Sequence, residues 1–207
     1  MIIAGLTGPY CAGKNYLAAL LENRGIPVLD VDVLGHQALQ TRIEEISAVF
    51  GTAFVTGGGT QKQIDRHALG RIVFGNTAAL ERLESIVHPE VDRLIAQWLA
   101  SPSPDAARII NAALLHKTAA AGQLCYVIVV TAPFWLRLLR AKKRDHLTFR
   151  EIFQRFAAQK NFLRRFIPPN AAVVRIKNNG WGLFPALEHR HLEKSLERAL
   201  KVMGISG

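Results

Sequence analysis

The sequence predicts an α/β fold, a parallel sheet flanked by helices. Three observations carry that expectation. Short apolar runs alternate with longer segments of helical periodicity along the 207 residues. The first run, Ile2-Ile3-Ala4-Gly5-Leu6, passes through a glycine-bounded turn straight into a helical pattern at Tyr16, Leu17, Leu20 and Leu21. Two later runs, Arg108-Ile109-Ile110-Asn111-Ala112 and Tyr126-Val127-Ile128-Val129-Val130, read as buried parallel strands, the second rich in β-branched residues.

The first turn is the most informative element. Gly8-Pro9-Tyr10-Cys11-Ala12-Gly13-Lys14 fits the first seven positions of the phosphate-binding pattern G-x-x-x-x-G-K-[ST], in the strand-to-helix context that pattern requires. Such a loop wraps backbone N–H groups around phosphate oxygens, and the helix start adds the positive end of its dipole. Lys14 neutralises the outer phosphates. Residues Gly8, Pro9, Tyr10, Cys11, Ala12, Gly13, Lys14 and Asn15 are therefore expected to bind the phosphates of ATP. Asn15 stands where Ser or Thr would offer a hydroxyl to Mg²⁺; its amide oxygen can ligate the ion from one atom further out. Pro9 removes one loop N–H. Cys11 reads either as a small space-filler or as an oxidisable thiol.

A second strand, Ile26 to Asp30, follows a helix closed by Gly25, and Asp30-Val31-Asp32 sits at its C-terminal end. Leu34 to Phe50 reads as one helix. Gly57-Gly58-Gly59 reads as a hairpin tip. Asp65 is placed to cap a helix over 66–74, and Asn76 one over 78–87 that stops before Pro89. A separate helix over 90–99 ends at Ser101-Pro102-Ser103-Pro104. Pro133 opens a basic helix to about Arg144, and Thr148 caps one from Phe149 to about Asn161. Val173 to Ile176 is a last strand and Leu183 to Met203 a closing helix. The stretch 34–104 is long for one crossover and reads as a helical subdomain inserted into a single domain over 1–207.

Composition excludes several classes. Hydrophobic content of 49% and charged content of 20% suit a soluble globular protein. No apolar run approaches the ~20 residues of a membrane span, and no secretory pattern precedes the first strand. Two cysteines, Cys11 and Cys125, make no disulfide framework and no zinc spacing. The expected setting is the cytoplasm. The net charge of +10 is concentrated between Arg137 and Arg165. That excess suits nucleic acid, a small polyanionic substrate or a solvated helix face. No zinc finger or aromatic-interleaved platform accompanies it.

In a doubly wound sheet, ligands lie outside the carboxyl ends of the strands. Asp30 and Asp32 would project there. A carboxylate near the transferring phosphate can accept a hydroxyl proton or hold Mg²⁺. On an extended segment the two would share a side. The alternative is that one of them only caps the next helix.

With these residues the chain resembles the dephospho-CoA kinase family of P-loop kinases. The resemblance rests on Leu6-Thr7-Gly8, Gly13-Lys14, Gly25-Ile26-Pro27-Val28-Leu29-Asp30-Val31-Asp32, Asp65-Arg66-His67-Ala68-Leu69, Ile72-Val73-Phe74, His88-Pro89, Val130-Thr131-Ala132-Pro133, Arg140 through Arg144-Asp145, Gln159 and Asn178-Asn179-Gly180. It covers essentially the whole chain in order. It implies transfer of the γ-phosphate of ATP to the ribose 3′-hydroxyl of dephospho-CoA, the last step of coenzyme A biosynthesis. By that resemblance Asp32 is the general base and acceptor contact, and Lys14 the phosphate lysine. Arg140 and Arg144 belong to a basic lid over about 137–165, and Asn178 to the ATP site. Asn15 and Asp30 serve Mg²⁺. His88 falls in the part that binds CoA, or is a histidine at a helix C-terminus stabilised by the dipole. The implied partners are ATP and dephospho-CoA, with no nucleic acid and no membrane; oligomeric state is left open.

Several residues depart from the family pattern. Pro9 and Cys11 replace loop glycines, and Asn15 replaces the hydroxyl. Asn111-Ala112-Ala113-Leu114-Leu115-His116-Lys117 stands where the family has D-x-P-L-L-[FY]-E, and Lys177 where an acid is common. The alternative these raise is a catalytically weakened nucleotide-binding protein of the same fold.

Overall fold

A computed structural model describes residues 1–59, 62–102, 105–159, 170–180 and 185–205. The outer part of the basic segment, 160–165, lies outside them, as do Ser103-Pro104 and the expected helix start at Leu183. The chain divides into two compact units, one of residues 1–30 and 102–207, the other Val31–Ser101.

The first unit is built on five parallel strands in the order β2-β5-β1-β6-β7. These are β1 (Ile2–Thr7), β2 (Val28–Asp30), β5 (Ala107–Asn111), β6 (Tyr126–Thr131) and β7 (Ala172–Lys177). The alternation of apolar runs with helices predicts this layer, and it forms because β1, β5 and β6 bury both faces: Leu6, Ile109, Ile110, Val127, Ile128, Val129 and Val130 are inaccessible. Helices α1 (Lys14–Glu22), α6 (Phe134–Asp145), α7 (Phe149–Ala158) and α8 (Pro185–Val202) belong to this unit. Leu17, Leu20 and Leu21 of α1 and Leu192, Leu196 and Leu200 of α8 close over Ala4, Leu6, Ile128 and Ile176 in one core. Gly25, at φ 73°, ends the turn after α1 as expected. Thr148 makes a full capping box with Glu151 at the start of α7.

The second unit holds α2 (Val31–Thr41), α3 (Ile43–Phe50), the antiparallel pair β3 (Val55–Thr56) and β4 (Gln63–Ile64), α4 (Arg66–Val73) and α5 (Thr77–Ala100). Its core is Ile46, Phe54, Leu69 and Val73. Asp65 and Asn76 cap α4 and α5 through their side chains, as their positions predict. Two expectations are corrected here. The helix predicted over 34–50 starts earlier, at Val31, and breaks at Arg42. The two helices predicted on either side of Pro89 are one, α5, which runs through the proline. A proline inside a helix costs about 3 kcal/mol. Packing on both sides offsets that: Leu80, Leu83, Ile86 and Val87 lie against the core before it, and Val91 and Ile95 are buried after it.

Glu90 is the other fixing point. It is 3% exposed, yet it accepts from Arg42 Nη2 at 3.0 Å and from Arg93 Nε at 3.1 Å and Nη2 at 2.7 Å. The hydrogen bonds from Arg93 and then Arg42 pull its carboxyl from the usual 4.5 down to about 2. A depressed carboxyl stabilises the fold fully above its unfolded value and loses that contribution as pH falls toward the folded one. Glu90→Gln, which leaves two guanidiniums facing a neutral amide, is expected to lower the melting temperature by several degrees at pH 7. The deficit should shrink between pH 4.5 and about 2, where the wild-type carboxyl itself takes up a proton. Calorimetric melting of both proteins across that range checks it; a deficit independent of pH would show that shape, not charge, matters at Glu90.

Candidate active site

The phosphate loop leaves β1 at Thr7 and enters α1 at Lys14. Two glycines are demanded by sterics. A Cβ on Gly8 would lie 2.6 Å from the Val130 carbonyl oxygen, and Gly13, at φ 99°, has the Asn178 amide where a Cβ would go. Cys11, at φ 60°, also takes the left-handed conformation with a side chain attached. It stands where the resemblance expects glycine, and the conformation costs about 1–2 kcal/mol. Burial against Ala141 and Ile152 accompanies that geometry and pushes the Cys11 thiol up, away from the thiolate. No side chain caps the start of α1 and no acid lies in its first turn, so the amides and dipole of that turn favour an anion. Asn15 is exposed in this turn and Lys14 half-buried.

Three arginines of α6, at 137, 140 and 144, follow helical spacing and share the face turned to the loop. Arg137 donates from Nε to the Tyr10 carbonyl at 2.8 Å. Arg140 donates from Nη1 to the carbonyls of Cys11 at 3.4 Å and Ala12 at 3.3 Å, and from Nη2 to the carbonyl of Gly180 at 2.7 Å and the side-chain oxygen of Asn178 at 3.1 Å. Asn178 in turn donates to the Ala12 carbonyl at 3.0 Å. Two of the expected site residues, Arg140 and Asn178, thus meet on the loop itself. Arg144 grips Asp145 through two bonds, at 2.7 and 3.0 Å. That grip draws the Asp145 carboxyl down to about 2 and raises Arg144 further.

How Tyr10 is held is not apparent from the sequence. Its hydroxyl donates to Asp145, its N–H to Gln159 Oε1 at 2.6 Å, and its ring lies 5.3 Å from the guanidinium of both Arg144 and Arg155. Phe156 meets the ring edge-on at 5.8 Å. Burial, and then the bond to Asp145, raise the phenol, so it stays protonated as a donor. The spacing of the α6 arginines, with Asp145 and Gln159 of the family pattern, is the sequence signal that points to this face.

Asp30 ends β2 and lies in register with Asn111 at the end of β5. Asn111 Nδ2 donates to Asp30 Oδ2 at 3.1 Å, while its Oδ1 is buried with no hydrogen-bond partner. A lone buried oxygen beside a carboxylate is a hard-donor pair that suits Mg²⁺, which takes one or two carboxylates and completes its shell with water and phosphate oxygens. Among the described residues no cluster of three His, Cys, Asp or Glu could hold a metal by itself. Asp32 does not share an extended segment with Asp30, contrary to expectation; the backbone turns helical at Val31, and Asp32 is an exposed residue in the first turn of α2. His88 is half-buried within α5, so the reading of it as a helix C-terminal histidine falls with the predicted stop at Pro89.

Beside Asn178 a cavity of about 400 Å³ is lined by Lys177, Asn178, Asn179, Gly180, His191, Leu192 and Ser195.

The profile of the dephospho-CoA kinase family matches residues 2–180. The chain belongs to the dephospho-CoA kinase family. A relative of that name from Thermus thermophilus is 34% identical over 202 residues, covering 98% of this chain and 90% of its own. One from Geobacter metallireducens is 38% identical over 164 residues, covering 77% of this chain and 80% of its own. The crystal structure of TT1252 from Thermus thermophilus superposes with a TM-score of 0.76 at 33% identity, covering all of this chain and 98% of that one. The dephospho-CoA kinase of Campylobacter jejuni, at 23% identity, shares the fold with a TM-score of 0.68 over 96% of this chain and 97% of its own. The fold is that of the P-loop kinases, as the first turn of the sequence predicts.

Proposed function

We infer that this chain transfers the γ-phosphate of ATP to the ribose 3′-hydroxyl of dephospho-CoA. The observation that carries the reading is the uncapped start of α1 behind a loop whose carbonyls are tied down by Arg137, Arg140 and Asn178. Carbonyls fixed outward leave the loop amides for phosphate oxygens, arranged before the ligand arrives. Lys14 sits at the outer phosphates. Asn178 and the adjoining cavity take the nucleoside of ATP. Arg140 and Arg144 supply positive charge where negative charge develops during transfer. Asp32 orients the acceptor hydroxyl and takes its proton late in transfer. His88 belongs to the acceptor side.

Asp30, Asn111 Oδ1 and Asn15 would hold Mg²⁺, which when bound neutralises phosphate charge. The acid lost at 111 leaves this pair with one carboxylate instead of two, and the bond from Asn111 fixes that carboxylate's orientation. The basic surplus of the chain has a matching load in the phosphates of two substrates. No helix among the described residues is long and apolar enough to cross a membrane; the cytoplasm, where ATP is supplied, is the setting this reading assigns.

A coupled assay offering dephospho-CoA, adenosine and pantothenate as rival acceptors tests the reading. Dephospho-CoA is expected to be preferred by at least about 100-fold, because binding energy from remote parts of the right acceptor is realised at the reacting centre. Equal use of adenosine, or preference for pantothenate, would overturn the acceptor assignment. ATP binding with no transfer to any of the three would instead make this a nucleotide-binding protein with degraded catalysis.

A further inference from the structure

Asp32, His36 and Gln40 are spaced by four along α2 and share one face of it. The two members farther along the helix are engaged with the segment that leads into α4. Gln40 donates from Nε2 to the Lys62 carbonyl at 2.6 Å and accepts from the Ile64 N–H at 3.3 Å. One turn nearer the helix start, His36 Nε2 lies 2.6 Å from Arg66 Nη1. A guanidinium only donates, so in this contact His36 Nε2 is the acceptor.

This contact holds one edge of Arg66 and leaves its charge uncancelled. The neighbouring acid, Asp65, spends its carboxylate on the N–H groups of His67 at 2.9 Å and Ala68 at 3.1 Å. Among the described residues no carboxylate lies within ion-pair distance of Arg66, and both Arg66 and His36 are exposed. An exposed arginine usually swings freely; this one is held by a ring nitrogen on a helix. The cap also matters, because Asp65 already occupies the first amides of α4. An anion here would be met by the side chain and not by the helix end.

Four residues of helix rise about 6 Å, so the turn of α2 that carries His36, which the Arg66 side chain of α4 contacts, lies about 6 Å from the turn that carries Asp32. A cation one turn from the carboxylate matches the acceptor's own layout. Dephospho-CoA carries its diphosphate on the 5′ carbon of the same ribose whose 3′-hydroxyl reacts. We propose that Arg66, oriented by His36, binds the acceptor's diphosphate while Asp32 engages the hydroxyl, so that this pair sets specificity for a phosphorylated acceptor. The flat guanidinium fork matches two phosphate oxygens at once. His36 is the positioning residue and Arg66 the binding residue. The inference rests on dephospho-CoA being the acceptor.

The experiment is calorimetric binding of dephospho-CoA, adenosine and ATP to the wild type and to Arg66→Ala, Arg66→Lys, His36→Ala and His36→Gln, with transfer measured separately. Arg66→Ala is expected to weaken dephospho-CoA binding about 10- to 100-fold, the worth of charge-assisted bonds to phosphate. Adenosine, which lacks the diphosphate, and ATP should bind unchanged. His36→Ala should show a smaller loss that His36→Gln largely restores, since an amide oxygen can accept from Arg66. Arg66→Lys, which keeps charge but loses the fork, gives an intermediate result and serves if Arg66→Ala melts early. Unchanged discrimination between dephospho-CoA and adenosine in a folded Arg66 variant would overturn the proposal. Loss of folding in both Arg66 variants would also overturn it, making the contact a tie between α2 and α4. Wild-type binding of dephospho-CoA without transfer would sink the reading of function while leaving this site standing.

Discussion

Lys14→Ala is expected to reduce phosphate transfer at least ~10²–10³-fold, the usual loss when a preorganised charge at a developing oxyanion is removed. The same change should weaken ATP binding, because Lys14 is the cation at the first residue of α1, where the amides and dipole end already favour anions. The fold should survive. Lys14 is only half-buried, and the side chains that anchor α1 are Leu17, Ala18, Leu20 and Leu21. Melting curves, nucleotide binding and turnover therefore separate cleanly in this variant. Wild-type ATP affinity in a folded Lys14→Ala protein would take the loop out of the nucleotide site, whatever happened to turnover. A fall in melting temperature with normal turnover would make the lysine a structural residue.

Local chemistry decided which parts of this molecule could be read from sequence. The loop was legible because glycines at 8 and 13 answer to sterics that any side chain would violate. Asp65, Asn76 and Thr148 were legible because a capping oxygen is needed wherever a helix leaves amides unpaired. Pro89 misled for the opposite reason. Its helix-breaking tendency is a local cost, and the side chains that override it, Glu90 with Arg42 and the apolar rows on either side, meet only in the folded unit. The clamp on Tyr10 was hidden in the same way, since Asp145 lies 135 positions away and Gln159 149. The substitution of asparagine for an acid at 111 was visible in the sequence. Its consequence was not: one amide edge steadies Asp30, and the other presents a buried oxygen with no protein partner. The basic surplus likewise changed meaning. Read along the chain it is a run of charge; in the structure, Arg137 and Arg140 turn to the loop and hold its carbonyls, and Arg144 lies over the Tyr10 ring.

Asp32→Asn is expected to reduce turnover by ~10²–10⁴-fold, the range for loss of a positioned proton acceptor. ATP affinity should hardly change. The proposed function assigns the side chain to the acceptor and not to the nucleotide. It belongs to the helical unit Val31–Ser101, whereas the loop and Asp30 belong to the sheet unit. It is also exposed in the first turn of α2. Asparagine retains the shape and one acceptor oxygen but cannot take the proton, so hydroxyl binding should persist while transfer slows. A carboxylate acting on a weakly acidic hydroxyl contributes by orientation and by late proton uptake, which places the loss in kcat more than in the KM for dephospho-CoA. Single-turnover transfer with saturating substrates, beside equilibrium ATP binding, measures the two separately. Near-normal transfer in the variant would move the proton acceptor to Asp30 or dispense with one. A collapse of ATP binding, restored by raising Mg²⁺, would mean that Asp32 organises the metal and that the acceptor hydroxyl is held by another group.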